Sequence, residues 1–192
     1  MDKSRWRPGN MLYPVPAVLV SCGGKDGKKN MLTVAWTGTV CSDPAMVYIS
    51  VRKERYSYEM IRETGEYVIN LTTEKLARAA DFCGVRSGRD MDKFKETRLT
   101  PEMGTLDYAP TIRESPVSIE CRVEQILPLG SHDMFLARVE SVFVDGKYMD
   151  EKGAFHLEKA GPIVYSHGQY FGLGEAMGSF GYSVRRKKKQ KR

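Results

Sequence analysis

The sequence has few of the residues that usually carry metal or disulfide chemistry. Its four cysteines contain no C-x-x-C pair, and its three histidines, His132, His156 and His167, do not have metal-ligand spacing. We therefore expect free thiols that pack as small apolar groups, without disulfides or thiol chemistry. A structural zinc site is not expected either.

Long apolar runs are also missing. No stretch approaches the roughly 20 apolar residues that span a bilayer, and residues 1–8 lack the apolar centre of a secretory signal. These observations predict a cytoplasmic protein that is not attached to a membrane.

Three familiar catalytic or nucleotide-binding motifs are absent. In the segment that begins Gly172-Leu173-Gly174, the third glycine of a dinucleotide loop comes one residue late, at Gly178. Lys29 stands where a phosphate loop needs Ser or Thr. No G-x-S-x-G elbow is present, and the scattered histidines give no triad. No catalytic side chain is assigned.

Acidic charge is scarce only at the carboxyl end. The chain has 30 Lys and Arg against 24 Asp and Glu, a formal charge of +6, but residues 185–192 hold seven of the cations and no acid. Residues 1–184 therefore carry 23 basic and 24 acidic groups. This near-neutral balance, in a chain with 41% hydrophobic residues, predicts one globular domain over residues 1–184. Residues 185–192 predict a disordered basic tail, which would attract polyanions without specificity.

Strand patterns dominate the domain. Apolar, β-branched and alternating runs predict strands at residues 14–22, 30–40, 46–51, 66–71, 116–127, 134–144 and 163–165, the last of these being the final strand. Residues 30–40 carry apolar groups on both faces, which is typical of a barrel wall covered on each side.

Helical spacing is confined to two short segments. Residues 56–64 predict a helix that Gly65 ends, and residues 73–83 predict a second that Gly84 ends. Residues 85–109 predict a long irregular loop. So few helices favour a mainly β fold, a closed or partly closed antiparallel barrel, over a doubly wound parallel sheet.

One group of segments has the composition of a cofactor site. Arg55, Tyr56 and Ser57 offer the cation, hydroxyls and helix start that bind a phosphate. Trp36 and Thr37 offer a wall and donors for a flat ring. The candidate set is completed by Thr39 on the same strand and by Ser87 and Lys93 in the long loop. The residues alone leave open a purely structural role for this set, in which Trp36 is core.

Several segments, in order along residues 14–181, resemble one family. They are residues 30–38, 42–47, 52–57 followed by Ile61, 65–70, and the specific stretch Ser-Gly-Arg-Asp-Met-Asp-Lys-Phe at residues 87–94. The chain resembles the flavin reductase-like family, near its flavoredoxin branch.

The resemblance implies an FMN-binding split β-barrel that forms a homodimer, with flavin near the interface. By position, it implies that Asn30, Trp36 and Thr37 line the flavin, and that Lys93 reaches the phosphate or the ring. It further implies that Arg55, Tyr56 and Ser57 hold the phosphate, that Tyr165 covers the ring, and that His132 approaches a nicotinamide.

Three functions follow as alternatives. The leading one is an NAD(P)H-dependent reductase that passes electrons through FMN to free flavin, ferric iron or a protein partner. The second is an FMN electron carrier without nicotinamide turnover of its own. The third, from a different class, is a non-enzymatic barrel that binds nucleic acid through the basic tail.

Overall fold

The computed structural model describes residues 1–184. Twelve strands run through these residues: β1 (Val15–Pro16), β2 (Val18–Gly23), β3 (Lys29–Val34), β4 (Thr37–Ser42), β5 (Ala45–Val51), β6 (Glu66–Leu71), β7 (Pro101–Glu102), β8 (Thr111–Ile112), β9 (Val117–Pro128), β10 (Asp133–Val144), β11 (Ile163–Ser166) and β12 (Gln169–Gly172). The α-helices are α1 (Tyr56–Thr64), α2 (Ala77–Val85) and α3 (Lys93–Thr97). The expectation of a mainly β fold with a few short helices is confirmed.

Seven strands form one antiparallel sheet in the order β3-β2-β6-β9-β10-β5-β4. The sheet curls, and this is seen in the apolar core, which side chains from opposite ends of the strand order share. Leu32 and Val34 of β3 lie in the same buried cluster as Val47 and Ile49 of β5. The interior of this curled sheet is therefore the main core of the protein.

The predicted strand at residues 30–40 is two strands instead. β3 ends at Val34, the chain turns through Ala35 and Trp36, and β4 begins at Thr37. The prediction that Trp36 lies on a strand is wrong, because the chain must leave one end of the sheet and join the other at this corner. Both faces of β3 are covered as expected, but most of β4 is not.

Helix α1 begins and ends where the sequence predicts. Its buried face carries Tyr58 and Ile61, and the Tyr58 ring packs edge-on against Phe135 with 5.3 Å between ring centroids. Gly65 ends the helix with φ 70°, and its N–H donates to Ile61 O. This left-handed conformation favours glycine.

The region after β6 is more regular than predicted. The second helix begins as a 3₁₀ turn at Glu74–Leu76 and continues as α2 to Val85, so Gly84 lies inside it. The loop predicted at residues 85–109 contains α3 and β7, with Asp92 capping the Lys95 N–H at the start of α3. Helices α2 and α3 cover the outer face of β2 and β3 with a second apolar cluster.

A small sheet of order β1-β11-β12 lies beside the main one. Residues 163–165 are a strand as predicted, but β12 follows it, so they are not the last strand. The turn between the two uses His167 and Gly168 with positive φ, as a two-residue hairpin requires. The predicted tail, residues 185–192, lies outside the described residues. Within those described, no helix is long and apolar enough to cross a membrane.

Candidate functional site

Three adjoining cavities form a groove along the end of the main sheet. We call the first the cationic cavity, of about 510 Å³; it is lined by Asn30, Leu32, Arg52, Glu54, Arg55, Tyr56, Ser57, Val85, Arg86, Ser87, Gly88, Arg89 and Lys93. A small cavity of about 140 Å³ shares Arg52 and Arg55 with it. The same small cavity shares Trp36 and His132 with a third cavity of about 860 Å³, which we call the neutral cavity.

The amino terminus of α1 forms one wall of the cationic cavity. Arg55 precedes the helix without capping it, and its Nη1 donates to Gly84 O at 3.0 Å. Ser57 is buried in the first turn, where its Oγ accepts from Asn30 Nδ2 at 2.7 Å. The first N–H groups of a helix have no partner within it and attract anions. Asn30, Arg55 and Ser57 are thus brought together around the positive end of the α1 dipole.

Lys93 approaches the same cavity from helix α3. The sequence context predicts a loop at this position, and that prediction is wrong. Its Nζ is buried and donates to Met31 O and Cys83 O, each at 2.9 Å. Burial lowers the pKa of this ammonium. Two carbonyl oxygens solvate the charge, but no carboxylate pairs with Lys93 among the residues that the structure describes. An anion in the cavity would supply the missing charge.

The segment between α2 and α3, residues 86–92, forms another wall of the cationic cavity. A Cβ on Gly88 would lie 2.2 Å from Asn30 Oδ1 and 2.9 Å from Tyr56 Cδ1. The Ser87 hydroxyl accepts from the Arg89 N–H, and the Arg89 guanidinium lies 5.6 Å from the centre of the Tyr56 ring. Only glycine allows this close approach of the segment to the cavity.

The cationic cavity carries more positive charge than the sequence prediction included. Arg52, Arg86 and Arg89 line it besides the predicted Arg55 and Lys93, and Glu54 is the one acid in this lining. The signal was present in the clusters at residues 52–55 and 86–89, which each hold two arginines. Five cations against one carboxylate make this the positively charged end of the groove.

The neutral cavity contains the predicted ring-binding residues Trp36 and Thr37. The Thr37 hydroxyl donates to Tyr48 O at 2.7 Å, and the Trp36 ring lies 6.0 Å from that of Tyr13. Trp36 is only partly buried, so part of its ring faces the groove. Tyr13 was missed, because residues 1–13 have no periodic pattern that would place them in space.

His132 lies in the β9–β10 turn, where the small cavity meets the neutral one. Partial burial, and then Arg52 and Arg55, lower its pKa. The imidazole is therefore uncharged at neutral pH. The next residue, Asp133, fixes the turn to α1, because its Oδ2 accepts from the Tyr58 hydroxyl and its Oδ1 lies 3.5 Å from Lys53 Nζ.

Two predicted site residues do not line the groove. Thr39 is exposed on β4, two residues beyond Thr37. Tyr165 lies on β11, where its ring packs against Tyr13 at 6.2 Å and Tyr170 at 5.7 Å. The Tyr13 ring thus lies between Tyr165 and Trp36, in contact with both.

The cysteines show no reactive thiol in the site. Burial raises the pKa of Cys22, which lies beside Ser57, to about 12, and that of Cys83 to about 11. A thiol with so high a pKa is a poor nucleophile. The expected free, buried thiols are confirmed for Cys22, Cys83 and Cys121, whereas Cys41 is only partly buried.

A curled antiparallel sheet with a groove that runs from arginines to aromatic rings defines a β-barrel protein suited to an elongated ligand, charged at one end and flat at the other. The chain belongs to the flavin reductase-like domain family, whose model matches residues 10–174. It has the split-barrel fold of this family, and the resemblance seen in the sequence is confirmed.

Individual relatives agree with this assignment. The flavoredoxin of Desulfovibrio vulgaris (Miyazaki F) is 30% identical, with a TM-score of 0.88 over 96% of this chain and 100% of that one. The NADH-dependent FMN reductase AsuE2 of Streptomyces nodosus subsp. asukaensis is 28% identical over 88% of this chain and 83% of its own length. An uncharacterized protein of Aeropyrum pernix is 30% identical over 81% of this chain, which spans 58% of that protein's length.

Proposed function

We propose that this protein binds FMN and, with NADH or NADPH as the donor, reduces free flavin, ferric iron or a redox protein partner. The cationic cavity at the start of α1, continuous with the aromatic groove at Trp36, is the observation that supports this proposal most directly. Its dimensions and charge fit a ligand with one terminal phosphate and one flat ring.

The residues have distinct roles in this proposal. Arg55, the α1 N–H groups and the Ser57 hydroxyl hold the phosphate, with the Lys93 ammonium behind them. Asn30 orients Ser57 through their hydrogen bond. Trp36 and Thr37 bound the ring, and the uncharged His132 lies where a nicotinamide would approach. The bound flavin supplies the two-electron chemistry, and the protein positions it.

The overall reaction needs no acid or base from the chain. NAD(P)H, a proton and an oxidised flavin acceptor give NAD(P)⁺ and the acceptor reduced by two electrons and two protons. Two ferric ions would take the same two electrons and leave one proton in solution. The protein therefore contributes binding, alignment and exclusion of water.

The alternative is an FMN electron carrier without nicotinamide turnover, and the similarity to a flavoredoxin favours it. Anaerobic stopped-flow mixing of the flavin-loaded protein with NADH and with NADPH separates the two. Rapid bleaching of the flavin absorbance supports the reductase, and no bleaching by either donor supports the carrier. A protein that is colourless and takes up no added FMN would exclude both.

The phosphate assignment predicts that Arg55→Ala/Ser57→Ala weakens FMN binding by a few kcal/mol, because charge-assisted hydrogen bonds contribute about 1.5–3 kcal/mol each. FMN should also bind more tightly than FAD, since no glycine-rich loop is present for a pyrophosphate. Equilibrium titrations with both flavins measure this. Arg62→Ala is the matched control, because Arg62 is exposed in the last turn of α1. Equal FMN affinity in the double variant and the control would contradict the assignment.

A further inference from the structure

The neutral cavity differs from the cationic cavity in its charge. Among the lining residues that the structure describes, none is Asp, Glu, Lys or Arg, and His132 is uncharged at neutral pH. Trp36 and Tyr48 supply aromatic surface on one side. Moving a hydrated ion or a charged chelate into such a lining costs its hydration without a compensating charge.

The amino-terminal segment, residues 9–16, supplies seven residues of the neutral cavity's lining, all but Tyr13. Met11 and Leu12 belong to this lining, and 57% and 87% of their surfaces are exposed. Two exposed apolar side chains beside a cavity without charged groups offer a surface that an apolar ligand would cover.

The segment is anchored to the barrel directly after Leu12. The Tyr13 ring packs against Trp36 at 6.0 Å and against His167 at 4.3 Å. Two residues later, Val15 pairs with Tyr165 when β1 joins β11. Met11 and Leu12 directly precede this anchored stretch and belong to the cavity lining.

The size of the cavity leaves room for more than one ring. Ligand pockets range from about 300 to 1,000 Å³, and the neutral cavity has a volume of about 860 Å³. A flavin ring beside Trp36 would leave space on the side of Met11 and Leu12 for a second flat molecule in offset stacking.

We propose that residues 9–16 determine which electron acceptor is reduced: with Met11 and Leu12 they favour a flat, uncharged aromatic ring and disfavour a charged ferric species. This inference rests on the proposed function and names the acceptor class that the function leaves open. Leu12 is thus a specificity-determining residue.

The test uses the full-length, flavin-loaded protein and Leu12→Asn, which removes apolar surface without adding charge. Leu173→Asn is the matched control, because Leu173 is 58% exposed and lies outside the cavity lining. Two quantities are measured: the dissociation constant of lumichrome, a flat ring without ribityl chain or phosphate, and kcat/KM for riboflavin and for ferric–EDTA with NADH.

We expect Leu12→Asn to weaken lumichrome binding, and to lower kcat/KM for riboflavin, about tenfold, the lower end of what one apolar contact contributes in a hydrophobic pocket. The ferric–EDTA rate, the FMN content and the control should not change. Unaltered lumichrome affinity, an equal fall with both acceptors, or loss of FMN from Leu12→Asn would each overturn the inference.

Failure of the proposed function would look different. A wild-type protein without FMN uptake contradicts that function. Lumichrome binding to the unloaded wild-type protein and to unloaded Leu12→Asn then tests whether residues 9–16 bind a flat ring. Equal lumichrome affinities of these two proteins would overturn the further inference as well.

Discussion

Lys93 is the residue whose environment departs furthest from that of an ordinary lysine. Its ammonium is buried with two backbone carbonyls as partners, and burial lowers its pKa from 10.5. Between the lowered pKa and 10.5 the unfolded chain binds more protons than the folded one. This contribution to the free energy of unfolding therefore rises with pH through that window. A bound anion has the opposite effect, since it favours the protonated lysine.

FMN affinity should consequently fall as the pH rises through the lowered pKa of Lys93, because the phosphate then loses a cation. The dissociation constant of FMN, measured across alkaline pH, checks this expectation. Lys93→Met should bind FMN more weakly and lose this part of the pH dependence. Lys95→Met is the control, because Lys95 is exposed on the same helix. An unchanged pH profile in Lys93→Met would contradict the role of Lys93.

At the scale of elements, local pattern predicts best where an element is decided locally. Helix α1 and strand β6 begin and end where the sequence predicts, because Gly65 ends the helix, the apolar residues of α1 have helical spacing, and β6 is a short run buried on both faces. The corner at Ala35–Trp36 could not be predicted, since it depends on β4 pairing with β5, at the end of the sheet away from β3. Spacing also could not show that Lys93 reaches Met31 O and Cys83 O.

The candidate site also combines residues that one local segment brings together with residues whose position depends on distant packing. The phosphate-binding candidates Arg55 and Ser57 lie on one short segment, and the structure brings them together with Asn30. Tyr165 depends on the packing of a separate small sheet, and the sequence alone cannot place its ring behind Tyr13.

The contact between the α2–α3 segment and β3 makes a prediction about one glycine. Gly88→Ala should weaken FMN binding and destabilise the protein by about 1–3 kcal/mol, because the new Cβ would overlap Asn30 Oδ1 and Tyr56 Cδ1. Denaturant unfolding and FMN titration measure the two effects. At Gly146 a Cβ would meet nothing within 4 Å, so Gly146→Ala is the control. Equal results for both variants would show that the close approach is not needed.

For the whole molecule, the far half of β10 is an open edge. β5 pairs with β10 only from Asp133 to Arg138, and Val142, Phe143 and Val144 beyond it are exposed. An unpaired strand edge with apolar side chains is a ready surface for a second chain. We therefore expect a homodimer.

Sedimentation equilibrium should give the mass of a dimer for the wild-type protein and of a monomer for Val142→Lys/Val144→Lys, because lysines on an edge oppose strand pairing. Leu173→Lys, exposed elsewhere, should remain dimeric. A wild-type monomer that holds FMN tightly would contradict the expectation.

The basic residues 185–192 predict a separable property. Truncation after Val184 removes seven positive charges and should abolish retention on heparin, which in the full chain should fall steeply with salt through counterion release. FMN content should not change. Heparin chromatography at two salt concentrations, with flavin absorbance, measures both. Loss of flavin on truncation would show that these residues contribute to the site.

The corner at Trp36 also ties the lifetime of the site to one strand pair. The Ser50 N–H donates to Trp36 O at 2.8 Å, which extends the β4–β5 pairing into the corner that leads from β3. Any fluctuation that parts this corner from β5 breaks the bond and displaces Trp36 from the groove. Slow amide hydrogen exchange at Ser50 would then report the opening of this strand pair. A ligand that binds only the closed form would slow it further in proportion to its occupancy.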